Sequence, residues 1–503
     1  MASSPTVSAP WSAVSPKLGT AREFQAVRSL FEECGYTSEK VCARCDVPTL
    51  DKHLTIRRDG PLPDPTDSLD ALIRLFADTR SVSRDVLRRV LPPGALDALE
   101  ALDLIMADPD DAAIVFAPCP VYPMRNLYIA CDRSVGPDGV PWIGVADMVY
   151  PPVYWNTALF LDRLPQVPSD ASLDIGTGSG IAALLLAPYA RHVWAVDIAS
   201  RSVHFAEFNR RLAGIENVTV LESDLYSAVE GMTFDVIVTH PPYVPSKRQK
   251  YVFREGGEDG EQILRAIVQQ APRYLREGGR FYCVVMGADR EGESFEQRIR
   301  KWLGENEREF DAVLVSDSLK TPAEHLTFAV AQDLVTEEDV QFLRDLWVSN
   351  NTEYIFRGPI LLRRYSGGRP SVTARTQAGT HLRREDLEWL LEFESSIRTE
   401  GGLSRLLEAR PKVSPTCEMI VRYREQSGTL VPAQFNFEAK DPFKVGCQVH
   451  EWMANTIASC DGTVTVREHF ERLQAKNIVP PDAAPEQFAR MLASLLASRI
   501  LVE

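Results

Sequence analysis

Leu173-Asp-Ile-Gly-Thr-Gly-Ser-Gly-Ile181 decides the fold of this chain. An apolar run meets three alternating glycines and passes into the apolar stretch Ile181–Leu186. That order reads as a strand, a tight turn and a helix. Glycines at such a turn let the backbone approach a ligand closely, and the helix N-terminus adds N–H donors for an anionic group. The spacing of Gly176, Gly178 and Gly180 differs from the GxGxxG dinucleotide fingerprint.

Working outward, short β-rich runs alternate with helical ones from residue 170 onward. Candidate strands cover 172–175, 193–197, 218–222, 234–239, 280–286 and 310–316, followed by either 325–331 or 359–364. A helical insertion over 337–348 separates the last two candidates. Such alternation predicts an α/β fold, a mostly parallel sheet with helices on both faces. Ligands of open α/β sheets bind at the C-terminal strand ends. Val193-Trp-Ala-Val-Asp197 puts a carboxylate at one such end, where it can accept hydrogen bonds from two ribose hydroxyls, and Ile198 can cover an adenine face. After the next strand, Asp224 can accept from an adenine amino group while Leu225 packs on the ring. A surface acid or a ligand-free turn would explain any one element, but three in order point to a cofactor site.

The fourth strand leads into Thr239-His-Pro-Pro-Tyr-Val-Pro245, then Phe253-Arg-Glu-Gly-Gly-Glu-Asp-Gly260, an amphipathic helix and Glu277-Gly-Gly-Arg-Phe281. The glycine turn resembles the D-x-G-x-G-x-G turn of class I methyltransferases. The whole series, from Leu173 to about Met286, resembles the HemK-like release-factor glutamine methyltransferases. The resemblance implies a Rossmann-like, seven-stranded domain that binds S-adenosyl-L-methionine through Asp174, Gly176, Thr177, Gly178, Gly180, Asp197, Ile198, Asp224 and Leu225. It implies a catalytic segment His240, Pro241, Pro242 and Tyr243, with His240 also beside the cofactor. In that family the first motif side chain and a proline carbonyl accept hydrogen bonds from the target NH2 and orient its lone pair. The methyl acceptor is then a side-chain amide in a protein or peptide.

One departure stands out, because residue 240 is histidine where the family has asparagine. A neutral imidazole has one acceptor nitrogen, so it can accept from an NH2 or act as a general base. As a base it would suit a specialised metabolite or modified peptide. Related families methylate RNA bases, and the loop Lys247-Arg-Gln-Lys-Tyr-Val-Phe-Arg254 interleaves basic and aromatic residues beside the motif. A degenerate, non-enzymatic scaffold is the remaining reading. Upstream, Tyr150-Pro-Pro-Val-Tyr-Trp-Asn-Thr157 lacks the arginine of the family's Pro-Arg-x-x-Thr segment, so no role is assigned to Thr157.

The chain has 503 residues, which predicts about three domains. Residues 1–19 read as a disordered tail, 20–150 as a helical, winged-helix-like module, 151–366 as the methyltransferase domain, and 367–503 as a module ending in a second winged-helix-like unit. Within the first module Ser83 is a candidate helix cap. The formal net charge of -15 lowers the expectation of phosphate-backbone binding without excluding a local basic patch. Nine scattered cysteines suit a reducing compartment, and Cys42-Ala-Arg-Cys45 lacks the second pair a zinc site needs, so no metal is expected. No apolar run is long enough for a membrane span, which makes the cytoplasm the expected location. Nothing in the pattern gives an oligomeric state.

Overall fold

The computed structural model describes residues 14–55, 62–133, 145–248, 250–332, 335–365 and 367–503. The tail expected over 1–19 therefore lies mostly outside the described residues. The chain divides into two compact units, Met1–Ile267 and Val268–Glu503.

The first unit opens with the helix Ala21–Glu33, started by a capping box in which Thr20 and Glu23 exchange hydrogen bonds. Val27, Leu30 and Phe31 recur at helical spacing and are buried. Further on, Arg84–Val90 begins after Ser83, but the Ser83 side chain makes no capping bond, contrary to expectation. One N–H at this end finds another partner, for Arg84 N donates to Ala113 O at 2.7 Å. Val82–Ser83, Ile114–Phe116 and Met106–Ala107 form a small antiparallel sheet with Ile114–Phe116 in the middle.

His53 and Asp78 tie this region together, with Nε2 2.8 Å from Oδ1 and both side chains buried. Burial works against the imidazolium, but hydrogen bonds to Asp78 and Cys45 hold its pKa up at about 9. A folded-state pKa above the ordinary 6.5 gives stability that is complete below pH 6.5 and lost as pH rises through about 9. The pair is expected to contribute up to about 3 kcal/mol at pH 6. H53Q should therefore lower Tm at pH 6 and converge on the wild type by pH 10. Equal Tm differences at both pH values would contradict the charged pair.

The second half of this unit carries four parallel strands in the spatial order Phe234–Thr239, Ser169–Ile175, Ala190–Asp197, Val218–Glu222. Extensive burial explains the apolar composition of the first three, while Val218–Glu222 at the edge is mostly half-buried. Ile181–Leu186 and Ser200–Ala213 are the crossover helices, the latter stopped by Gly214 in the left-handed conformation. All four strands end on the same edge, where the motif residues follow.

The second unit contains Leu275–Arg290, Thr352–Arg364 and Phe310–Ser316, antiparallel in that spatial order. The seven strands expected of the domain all form. An additional strand, Thr373–Gln377, runs parallel to Phe310–Ser316. Of the two alternatives for the last strand, 359–364 is right, within Thr352–Arg364. Residues 325–331 are instead part of the helix Pro322–Ala331. The reason is local: Thr321 and Glu324 make a capping box and Pro322 occupies the first turn, which outweighs the β-branched and aromatic residues that follow. The glycine-rich segment after residue 366 is pinned by Arg369, whose guanidinium pairs with fully buried Asp311 (Nη1–Oδ1 2.9 Å). Asp311 also accepts from Arg363 at 3.0 Å, and these partners hold its carboxyl below the usual range despite burial.

Beyond lie Arg384–Ser396, Gly402–Leu407 and a three-stranded antiparallel sheet of Cys417–Gln426, Thr429–Ala439 and Val445–Val449. The helices Glu451–Ala458, Val466–Ala475 and Pro485–Ala497 follow, and Leu501–Val502 pairs with Lys412–Val413. Phe437, Ile457, Phe470, Phe488 and Leu492 share the core of this region. Among the described residues no helix is long and apolar enough to cross a membrane.

Candidate functional site

The turn after Ser169–Ile175 is held from below by Asp174. This buried carboxylate accepts from Thr177 Oγ1 at 2.6 Å and from Ala183 N at 3.2 Å. Gly176 N and Thr177 N both donate to Val196 O, at 2.8 and 3.0 Å. Gly176, Gly178 and Gly180 all have positive φ, which explains the residue type. Their surroundings differ. A Cβ at Gly180 would sit 3.1 Å from Ala206 Cα, so this glycine lets two helices pack. A Cβ at Gly176 or Gly178 would meet nothing within 4 Å. Those two glycines border open space, the cradle that the amino-acid end of a nucleoside cofactor needs.

Asp197 ends the next strand, nearly buried. Its Oδ2 accepts from Gly178 N at 2.9 Å and its Oδ1 from Ala199 N at 2.9 Å. Burial raises its pKa, and the backbone N–H bonds oppose that rise. Ile198 beside it is 57% exposed, an apolar side chain facing out at a strand end. One strand further, Ser223 Oγ donates to Leu225 O at 2.9 Å and accepts from Ala228 N at 3.0 Å. The hydroxyl thereby holds Leu225 at φ 50°, a left-handed conformation uncommon for leucine, and leaves Asp224 exposed. The glycine turn, Asp197 with Ile198, and Asp224 with Leu225 thus follow three adjacent parallel strands in turn. Their donors, acceptors and apolar faces fit an amino acid tail, a ribose and a planar base.

Burial pushes Asp174 up to about 7, against the hydrogen bonds from Thr177 and Ala183 and with help from the Asp197 charge. Below that pH Asp174 holds a proton in the free protein. A ligand with net positive charge favours the carboxylate, so binding should release a proton at pH 6 and release none at pH 8.5. Calorimetry of S-adenosylmethionine binding in buffers of different ionisation enthalpy measures this directly. Equal proton release at both pH values would remove Asp174 from the linkage.

The fourth strand delivers the motif. Thr239, fully buried, donates its hydroxyl to Ile175 O at 2.8 Å and fixes the strand end. The His240 ring lies 5.2 Å from Phe160 and 5.8 Å from Tyr243. The Gly256–Gly260 turn then clamps the motif main chain. Gly256 N donates to Val244 O at 3.0 Å and Ser246 N to Gly257 O at 2.9 Å. A Cβ on Gly256 would fall 2.7 Å from Pro242 O, and one on Gly260 would fall 2.6 Å from Tyr243 O. Glycine is therefore required by close approach to the two carbonyls. Buried Glu255 accepts from Tyr251 N at 3.3 Å and shapes the intervening loop. On that loop Lys247, Arg248 and Lys250 are exposed and Tyr251 is buried, while Gln249 lies outside the described residues.

Sequence reading missed several supporting side chains. Fully buried Asn209 donates to Ser179 O at 2.8 Å and pairs with both backbone groups of Ala130, which braces the glycine turn. Its place on an otherwise amphipathic helix, a polar residue at a core position, was the available signal. Arg201 and Asp132 pair similarly, with Nε–Oδ2 2.8 Å. The aromatic cluster upstream of the core joins the site: Tyr150 packs 5.1 Å from Tyr154 and 5.2 Å from Phe253 of the loop after the motif.

Residues 153–308 match the family model described as the methyltransferase small domain. A putative protein N5-glutamine methyltransferase of Methanocaldococcus jannaschii is 33% identical over 146 residues, which cover 27% of this chain and 73% of that protein. The ribosomal protein uL3 glutamine methyltransferase of Xanthomonas campestris is 35% identical, covering 27% of this chain and 45% of that protein. A release factor glutamine methyltransferase of Moorella thermoacetica is 32% identical, covering 26% and 50%. The chain thus spans about half the length of the last two relatives, and its flanking regions lie outside the similarity.

Proposed function

The chain belongs to the S-adenosylmethionine-dependent methyltransferases of the small-domain, HemK-like type, and on that premise we propose that it methylates the side-chain amide nitrogen of a glutamine in a protein or peptide. The observation that carries this reading is the clamped motif. Pro242 and Tyr243 carbonyls are held in place by the Gly256–Gly260 turn, beside the strand ends that carry Asp174 and Asp197.

In this reading Gly176, Thr177 and Gly178 receive the methionyl end of the cofactor, with Gly180 and Asp174 supporting the turn. Asp197 takes the ribose hydroxyls, Ile198 and Leu225 cover the base, and Asp224 accepts from its amino group. When bound, the cofactor supplies an electrophilic methyl on a sulfonium, which departs as a neutral thioether. The amide nitrogen forms the new N–C bond with its lone pair, and one N–H proton then leaves to water. The chain contributes positioning: carbonyls of the Pro241–Pro242 segment accept from the NH2, Tyr243 stacks on the amide plane and His240 offers a ring acceptor. No base is needed to remove a proton before transfer. Residues 151–366 form the methyltransferase domain, and the winged-helix-like module over 20–150 and the module over 367–503, which ends in a winged-helix-like unit, present or select the substrate. Nine free cysteines agree with a cytoplasmic location.

The exposed Lys247, Arg248 and Lys250 favour a second reading, an amino group on an RNA base. Incubating the protein with methyl-labelled cofactor and a cell extract separates the two. Label in protease-sensitive material supports the first reading, and label in ribonuclease-sensitive material overturns it. H240N should leave kcat unchanged or raise it, because an amide oxygen replaces a single ring acceptor. A fall of about 100-fold would instead identify His240 as a base.

A further inference from the structure

The helix Trp155–Asp162 carries a polar side chain that neither the motif nor the cofactor turn uses. Among the described residues, Asn156 Oδ1 is one of the few buried side-chain oxygens without a hydrogen-bond partner. Buried acceptors are nearly always satisfied, so such an atom calls for a donor from a ligand.

Its surroundings place it at the acceptor side of the site. Asn156 and Phe160 lie one helical turn apart and share a face. Phe160 packs on the His240 ring, 5.2 Å between centroids. The Asn156 amide also hydrogen-bonds the Tyr150 phenol, and Tyr150 in turn lies within electrostatic reach of Tyr243. Asn156 therefore lies one turn from the side chain that packs on His240 and beside a phenol that senses Tyr243. The bond to the phenol engages its NH2 end, which turns the carbonyl end elsewhere.

We propose that Asn156 Oδ1 accepts a hydrogen bond from the NH2 of the target amide. It thereby supplies the amide oxygen that relatives of this type carry at the first motif position and that His240 does not have. This assignment rests on the glutamine reading above. A planar primary amide presents two N–H donors. One meets the Pro241–Pro242 carbonyls and the other meets Asn156, which leaves the nitrogen lone pair free to form the N–C bond. Asn156 takes no proton; that proton leaves to water after transfer.

The test uses the full-length protein and two synthetic peptides that differ only in a central glutamine or glutamate. Methyl transfer, peptide binding in the presence of S-adenosylhomocysteine, and S-adenosylhomocysteine binding alone are measured. N156L should keep its S-adenosylhomocysteine affinity, lower kcat/KM for the glutamine peptide by about 30- to 100-fold, and lose the preference for glutamine over glutamate in binding. N156D, which keeps an acceptor of the same shape, should retain transfer within about fivefold. Adding H240N to N156L should recover at least about tenfold, an outcome that a merely structural Asn156 would not give. A wild type that methylates the glutamine peptide while N156L matches it overturns this assignment alone. N156D falling as far as N156L also overturns it. A wild type that neither binds nor methylates the glutamine peptide preferentially overturns the glutamine reading and this assignment together.

Discussion

Asp197→Ala abolishes measurable S-adenosylmethionine binding, with Kd rising by at least about 100-fold, because a charged acceptor for two hydroxyls contributes roughly 1.5–3 kcal/mol per bond. The expectation rests on more than the carboxylate's place at the strand end. Asp197 Oδ2 holds Gly178 N and Oδ1 holds Ala199 N, both at 2.9 Å. Alanine removes the ribose acceptor and also releases the glycine turn on which the methionyl end rests. Asp197→Asn keeps one carbonyl oxygen, so its Kd should rise by about tenfold only. The graded pair separates a ligand contact from general disruption, since the less disruptive variant still weakens binding. Isothermal titration measures both, and a D197A protein that binds like the wild type would remove Asp197 from the cofactor site.

Gly256→Ala has an effect of similar size on the other half of the reaction. Its Cβ would lie 2.4 Å from Gly260 O and 2.7 Å from Pro242 O, and both obstacles are backbone. The motif and the turn must move apart by several tenths of an ångström. Displacing positioned acceptors by that much is expected to reduce kcat by about 100-fold. The cofactor turn is on other strands, so Kd for S-adenosylmethionine should stay within about twofold. Single-turnover transfer and calorimetry on the same preparation give both numbers. A G256A enzyme with normal kcat would show that the carbonyl positions do not control transfer. Loss of cofactor binding in G256A would show that the two halves are not separable.

The division between what sequence showed and what it hid follows the range of the interactions. Phe234–Thr239 and Phe310–Ser316 were legible to the residue because strands buried on both faces are nearly continuous apolar runs. Asp197 and Asp224 were legible because a polar residue terminates such a run. Residues 325–331 stayed one of two alternatives for the last strand because two local signals competed there, and the capping box at Thr321 and Glu324 decided for the helix Pro322–Ala331. The hairpin Cys417–Gln426 and Thr429–Ala439 went unseen because its strands are mostly exposed and carry little apolar alternation. Asn209 acts through Ala130 and Ser179, 79 and 30 residues away in sequence. A polar residue at a core position marks Asn209 in the sequence, but its partners do not show there. The glycine spacing was readable, but only the structure separates Gly176 and Gly178, which border space, from Gly180, which packs on a helix.

Transfer of a methyl group to a glutamine amide nitrogen is read out by mass spectrometry of a glutamine-centred peptide after incubation with the wild-type protein and S-adenosylmethionine. One added methyl group is expected, with fragmentation placing it on the glutamine side chain, and no modification of the glutamate-centred peptide. A methyl group on any other residue or on the backbone, or equal methylation of both peptides, would contradict it.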